Sequence, residues 1–174
     1  MSEPMLIVCM GVSGTGKTTL GKSVADARDW QFIDADDLHS EQAIAKMAAG
    51  QPLTDADRAP WMRRVVTAVQ HAADGGDSIV LAHSGLREHH RDQLRRAGLQ
   101  THFLFLNGLE QTIHRRLQNR QGHFMPSALL ASQLSALQSP LNEPDVTLLD
   151  CAWTPDQLLQ RANHVIGELE VHSV

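Results

Sequence analysis

The run Gly11-Val12-Ser13-Gly14-Thr15-Gly16-Lys17-Thr18 fits the pattern G-x-x-x-x-G-K-[ST] at every fixed position. Its glycines let the backbone turn through positive φ, so successive N–H groups can point inward at phosphate oxygens. Lys17 is then placed to reach the β and γ phosphates of ATP, and the Thr18 hydroxyl to ligate Mg2+. Thr19 follows in the first turn of a helix opening at Lys17, whose N-terminal end carries partial positive charge. A second candidate is Asp34-Ala35-Asp36, two carboxylates at i and i+2. Phosphoryl transfer to a hydroxyl uses one carboxylate near the metal and another that orients the attacking hydroxyl and accepts its proton late. Asp34 is assigned to hydrated Mg2+ and Asp36 to the hydroxyl, while Asp37 reads as N-cap of the next helix.

Arginine supplies the third signal. Residues 87–120 hold Arg87, Arg91, Arg95, Arg96, Arg115, Arg116 and Arg120 against Glu88, Asp92 and Glu110. Residues 26–57 have the opposite balance, with eight acids against Arg28 and Lys46. Arg116 and Arg120 are i, i+4 on one helix face and can point at one ligand. Arg120 borders a break at Gly122, which suits a lid residue closing on the transferred phosphoryl group. Arg116 suits stacking beside adenine or contact with phosphate. Arg95, Arg96 and Arg115 read as a solvated basic face.

These groups need elements to hold them. Periodicity predicts strands at 5–10, 31–34, 78–82, 101–106 and 146–149. Helices are predicted at 17–28, 87–97, 109–120, about 127–138 and 155–170. Residues 38–74 carry two helical patterns, broken at Gly50-Gln51-Pro52 and again near Ala59-Pro60. Strands separated by helices predict a parallel sheet covered on both faces, an α/β fold. The acidic turn then falls at the C-terminal sheet edge, where open α/β sheets bind ligands.

Composition bounds the remainder. A chain of 174 residues with 42% hydrophobic side chains fits one domain, residues 1–174, with a sizeable core. A net charge of −5 and a pI near 6.0 argue against nucleic acid as partner. Cys9 and Cys151 cannot make a disulfide framework and read as buried hydrophobes in a reducing, cytoplasmic compartment. Met5–Met10, the longest apolar stretch near the start, is too short to span a membrane. His71, His83, His89, His90, His102, His114, His164 and His172 lack metal-ligand spacing and read as surface or half-buried residues. Trp30, Trp61 and Trp153 read as core or edge packing.

GTPase motifs D-x-x-G and N-K-x-D are absent, as are an ABC-type signature and a Walker B aspartate after the third strand. A small kinase is left. Asp34-Ala35-Asp36-Asp37-Leu38-His39, followed by Lys46-Met47-Ala48-Ala49-Gly50-Gln51-Pro52-Leu53-Thr54-Asp55-Ala56-Asp57-Arg58-Ala59-Pro60-Trp61, resembles the gluconate kinase family. Ser84-Gly85-Leu86-Arg87-Glu88-His89-His90-Arg91-Asp92 is similar to a further block of that family. So is Arg120-Gln121-Gly122-His123-Phe124-Met125-Pro126 with Leu129-Leu130-Ala131-Ser132-Gln133. Departures from the family pattern, at Ser40, Ala43, Gly85, Arg87, His90 and Leu134, concentrate on the acceptor side.

The resemblance implies ATP- and Mg2+-dependent transfer to the 6-hydroxyl of D-gluconate by a homodimer. It also implies the P-loop fold of nucleoside-monophosphate kinases, with strand order 2-3-1-4-5 and a lid at about 120–140. Residues 38–74 become the acceptor-binding segment. Candidates for the acceptor's carboxylate and hydroxyls are Asp36, His39, Arg58, Arg87, Arg91, His123 and Gln133. Two alternatives stay open: a P-loop kinase for shikimate or a related sugar acid, and a module that senses or hydrolyses ATP without an acceptor.

Overall fold

The structure, a computed structural model, describes residues 3–120 and 129–173. Strand β1 (Met5–Met10) leads through the glycine-rich loop into helix α1 (Lys17–Arg28), and β2 (Gln31–Asp34) ends in a 3-10 turn (Ala35–Leu38). Helices α2 (Glu41–Ala48) and α3 (Asp55–Ala73) precede β3 (Ile79–Ala82), α4 (Glu88–Arg95) and β4 (Gln100–Asn107). Then come α5 (Glu110–Gln118), α6 (Leu130–Ala136), β5 (Val146–Asp150) and α7 (Pro155–His172).

All strand pairs are parallel, in the order β2-β3-β1-β4-β5. Strand β1 is central and buried along its whole length, so its side chains divide between two cores by their period of two. Met5, Ile7 and Cys9 face the α1 and α7 side with Leu20, Val24, Ala162 and Ile166. Leu6, Val8 and Met10 face the α3 and α4 side with Trp61, Met62, Val65, Val69 and Leu94. Among the described residues, no helix is long and apolar enough to cross a membrane.

Two local expectations are corrected. Helix α3 runs unbroken through Pro60. A capping box between Thr54 and Asp57 starts it, and burial of Trp61, Met62, Val65 and Val69 on one face outweighs the single N–H that Pro60 cannot donate. Asp37 does not cap α2: it is exposed within the 3-10 turn, and Ser40 accepts from the Ala43 N–H instead. The expected lid is described only from Leu129 onward, where helix spans Leu130–Ala136.

Candidate active site

Sheet connectivity places the glycine loop, the acidic turn and the 83–87 segment side by side at the C-terminal ends of β1, β2 and β3. Gly11 has φ +148, and a Cβ there would lie 2.5 Å from the Leu106 carbonyl oxygen, so the loop's first position excludes other residues. The Val12 carbonyl accepts from Thr15 Oγ1 at 2.9 Å and from Lys17 Nζ at 3.1 Å, which curls the loop around the ammonium. Gly16 begins α1 in the left-handed region (φ 99) and no side chain caps the helix, so its end amides remain for an anion. Ser13 is buried, and among the described residues its Oγ finds no hydrogen-bond partner. An orphaned hydroxyl inside a cationic loop fits an incoming phosphate oxygen.

A cavity of about 300 Å3 opens over this loop, lined by Gly14 to Thr19 and by Arg116, Arg120, Cys151 and Trp153. Arg116 and Arg120 both line this cavity, but the helix expected over 109–120 ends at Gln118, so Arg120 reaches it from beyond the helix and not through i, i+4 spacing. Thr18 Oγ1 donates to Asp34 Oδ2 at 2.8 Å, joining the two residues assigned to the metal. Among the described residues, no group of three or more His, Cys, Asp or Glu could hold a metal. A hydroxyl and one carboxylate suit Mg2+, which keeps waters and takes its other ligands from substrate phosphates.

A second cavity, about 430 Å3, is lined by Asp36, His39, Arg58, Trp61, Ser84, Arg87 and Gln133, among others. The 3-10 turn aims Asp36 here: Asp34 Oδ1 accepts the Asp36 N–H at 3.0 Å, and Asp36 Oδ1 lies 4.0 Å from His39 Nε2. Arg58 and Arg87 both reach the single carboxylate oxygen Asp55 Oδ1, at 3.1 and 3.5 Å. Two guanidiniums share one exposed carboxylate, so this wall keeps a net positive charge. Gln133 Oε1 accepts the Ser13 N–H at 2.6 Å, tying α6 to the glycine loop. Asp36 also acts electrostatically on Lys17, whose pKa burial lowers while Asp36 opposes and Arg120 adds to the lowering. Lys17 lines the first cavity and Asp36 the second, so the charges of the two cavities act on each other.

A protein-family profile described as an AAA domain matches residues 6–144. A gluconokinase of Gluconobacter oxydans is 40% identical over 158 residues, covering 91% of this chain and 89% of that protein. The chain belongs to the gluconokinase family. The thermosensitive gluconokinase of Escherichia coli is 44% identical over 144 residues, covering 82% of this chain and 77% of its own. The crystal structure of a gluconokinase from Sinorhizobium meliloti matches with a TM-score of 0.87 at 35% identity, covering 99% of this chain and 97% of that one.

Within this gluconokinase-family fold, Arg91 is the sequence-predicted site residue that the structure places elsewhere. It is fully buried and does not line the acceptor cavity. Its guanidinium is held by Glu143, with Nη2 to Oε1 at 2.5 Å, and by the Gly85 carbonyl at 2.6 Å. It braces the turn carrying Arg87, instead of meeting a ligand. His123 lies outside the described residues. Sequence reasoning missed Trp61 and Trp153, which line the acceptor and nucleotide cavities instead of only packing. It also placed His83, His90 and His102 too near the surface, where all three are buried, and it read Arg95 as solvated where it is half-buried and paired with Glu143 and Asp145.

The Arg91 ion pair gives a stability prediction. Arg91→Ala is expected to cost about 3 kcal/mol, lowering the thermal midpoint by roughly 6–12 °C. Burial alone would raise the Glu143 pKa, but hydrogen bonds from Arg91 and Arg95 outweigh it and hold the carboxyl below the usual glutamate range. A depressed folded pKa stabilises above the unfolded value, so this contribution is lost as pH falls through the lowered one. Calorimetry on wild type and Arg91→Ala checks it: midpoints that stay equal at neutral pH would refute the assignment.

Proposed function

We propose that this chain transfers the γ-phosphoryl group of ATP to the 6-hydroxyl of D-gluconate, releasing ADP and 6-phospho-D-gluconate. The observation that carries the reading is the acceptor cavity itself, where Asp36 shares one space with the Arg58–Arg87 pair beside the phosphate loop. That combination suits a molecule bearing both a reactive hydroxyl and a carboxylate. Arg58 and Arg87 hold the carboxylate, while His39 and Gln133 take hydroxyls. Asp36 orients the 6-hydroxyl and accepts its proton as the new O–P bond forms. Lys17, Arg120 and the loop amides neutralise the charge that spreads over the transferred group. Arg116 stands with Trp153 on the nucleotide side. Thr18 and, through water, Asp34 would hold Mg2+, which when bound supplies positive charge to the β and γ phosphates.

The reading includes a cytoplasmic setting and a homodimer. Cys9 and Cys151 are free and buried, which suits a reducing compartment. Strand β5 lies at the sheet edge with Leu148 exposed, which suits self-association; sedimentation velocity reads the outcome.

A coupled ADP-release assay over gluconate, shikimate, related sugar acids and water tests the reaction. Turnover with gluconate well above the water rate is expected. Gluconate turnover equal to water would overturn the proposal, and preference for shikimate would move it to another acid of the same chemistry.

A further inference from the structure

Under the acceptor cavity three rings form one stack. His39 lies on Trp61 with centroids 4.4 Å apart and planes at 12°, and Trp61 lies on His83 at 4.6 Å and 13°. Trp61 is fixed at its edge by Nε1 donating to the Ala35 carbonyl at 2.6 Å. His83 is 1% exposed and engaged at both nitrogens. Its Nδ1 accepts the Gly85 N–H at 2.8 Å, and Nε2 sits 3.0 Å from Met62 Sδ. An accepting Nδ1 assigns the proton of the neutral ring to Nε2, facing the sulfur. Burial pushes the His83 pKa down to about 3, with neighbouring His90 adding to the fall, so the ring keeps this form near neutral pH. The His90 ring stands nearly perpendicular to both Trp61 and His83, 6.4 Å from each, and closes the cluster from the side.

We propose that His83 is a positioning residue for the acceptor. Through the Trp61 stack it sets the ring of His39, and through the Gly85 N–H it sets the turn that carries Arg87. Both residues it controls line the acceptor cavity, on opposite sides in sequence, while His83 itself does not line it. Gly85 sits at φ +60, and a Cβ there would meet Met10 Cβ at 3.1 Å, so this position of the turn favours glycine. The Gly85 N–H is held by His83 Nδ1 and its carbonyl by Arg91, while the Gly11 and Gln138 N–H groups hold the neighbouring Ser84 and Leu86 carbonyls. The nucleotide cavity is lined by none of His39, Trp61 or Arg87. Displacing the His83 side chain therefore acts first on the acceptor side, while the backbone next to it also meets the phosphate loop, where the Gly11 N–H donates to the Ser84 carbonyl at 3.2 Å. The inference rests on the phosphoryl-transfer reading above.

Three variants separate the two links. His83→Ala removes both, His83→Phe keeps a ring for Trp61, and His83→Asn keeps an acceptor for the Gly85 N–H. His83→Ala is expected to raise the acceptor KM about tenfold, with the ATP KM changed less than about twofold. His83→Phe and His83→Asn should each recover part of that loss. A purely structural role would instead lower the thermal midpoint and the active fraction, leaving both KM values in place. A readout free of any acceptor is the NMR shift of the His39 ring protons, which the Trp61 face shields. That shielding should fall in His83→Ala and persist in His83→Phe. If wild-type enzyme does not turn over gluconate, the substrate reading fails while the His39 shift still decides this inference. Unchanged His39 shielding in His83→Ala would overturn the inference, as would an acceptor KM within about twofold of wild type. Should His83→Ala not fold, the Phe and Asn variants carry the same comparison: both matching wild type in shielding and acceptor KM would overturn it.

Discussion

Lys17→Ala is expected to lower kcat by about 10²-fold or more, because one preorganised cation aimed at developing phosphoryl charge is worth that much in a water-poor site. The loop holds this ammonium in advance, with Nζ resting 3.1 Å from the Val12 carbonyl. Burial lowers the Lys17 pKa, Asp36 and Asp34 oppose that, and Arg120 adds to it. A half-buried cation acted on by two carboxylates and a guanidinium is poised to take up negative charge. Lys17→Arg should not restore the rate, since a planar fork cannot replace a point charge inside a loop this tight. Single-turnover kinetics at saturating ATP measure the step, and a thermal melt shows whether the loop is intact. A folded Lys17→Ala enzyme with kcat within about tenfold of wild type would remove Lys17 from the chemistry.

Asp36→Asn tests the other side of the transfer. Asp34 Oδ1 holds the Asp36 backbone N–H at 3.0 Å, a contact that this substitution leaves in place. The substitution keeps size and position and removes the proton acceptor. A fall in kcat of about 10²-fold is expected, with the ATP KM little changed, since positioned bases contribute about 10²–10⁴. Asp36→Ala should lose as much in kcat and also raise the acceptor KM. Near-normal kcat in Asp36→Asn would refute the acid/base role and leave Asp36 as a binding group.

Contiguous features were legible because their physics is local. The phosphate loop lies in eight consecutive residues, and only glycine satisfies its first position. Strand β1 and helix α1 appear where periodicity puts them, with the bounds Met5–Met10 and Lys17–Arg28. Arg116 faces the nucleotide cavity from α5, but Arg120 lies past the end of that helix at Gln118, so their shared cavity is set by the path of the chain after the helix and not by helical spacing. Pro60 misled the local reading, since the gain from burying one face of α3 is a tertiary term that a propensity rule lacks.

Arginine roles were legible only in part. Arg58, Arg87 and Arg91 look alike in sequence, each a cation within a family-like block. Two line the acceptor cavity, while the third is consumed by Glu143, 52 residues away. No local pattern tells a guanidinium which carboxylate the fold will bring to it. The same holds for His83, which reads as an isolated polar residue at a strand end until the fold lays Trp61 over it.

By itself, then, the sequence determined the phosphate-binding chemistry, the acidic turn beside it and the alternation of strands and helices, because those depend on neighbours along the chain. Tertiary structure alone decided which cations face the acceptor, which one braces a turn, and how His39 is held. Those outcomes depend on long-range packing and on which buried charges and rings find partners across the sheet, and the chain's order does not encode them residue by residue.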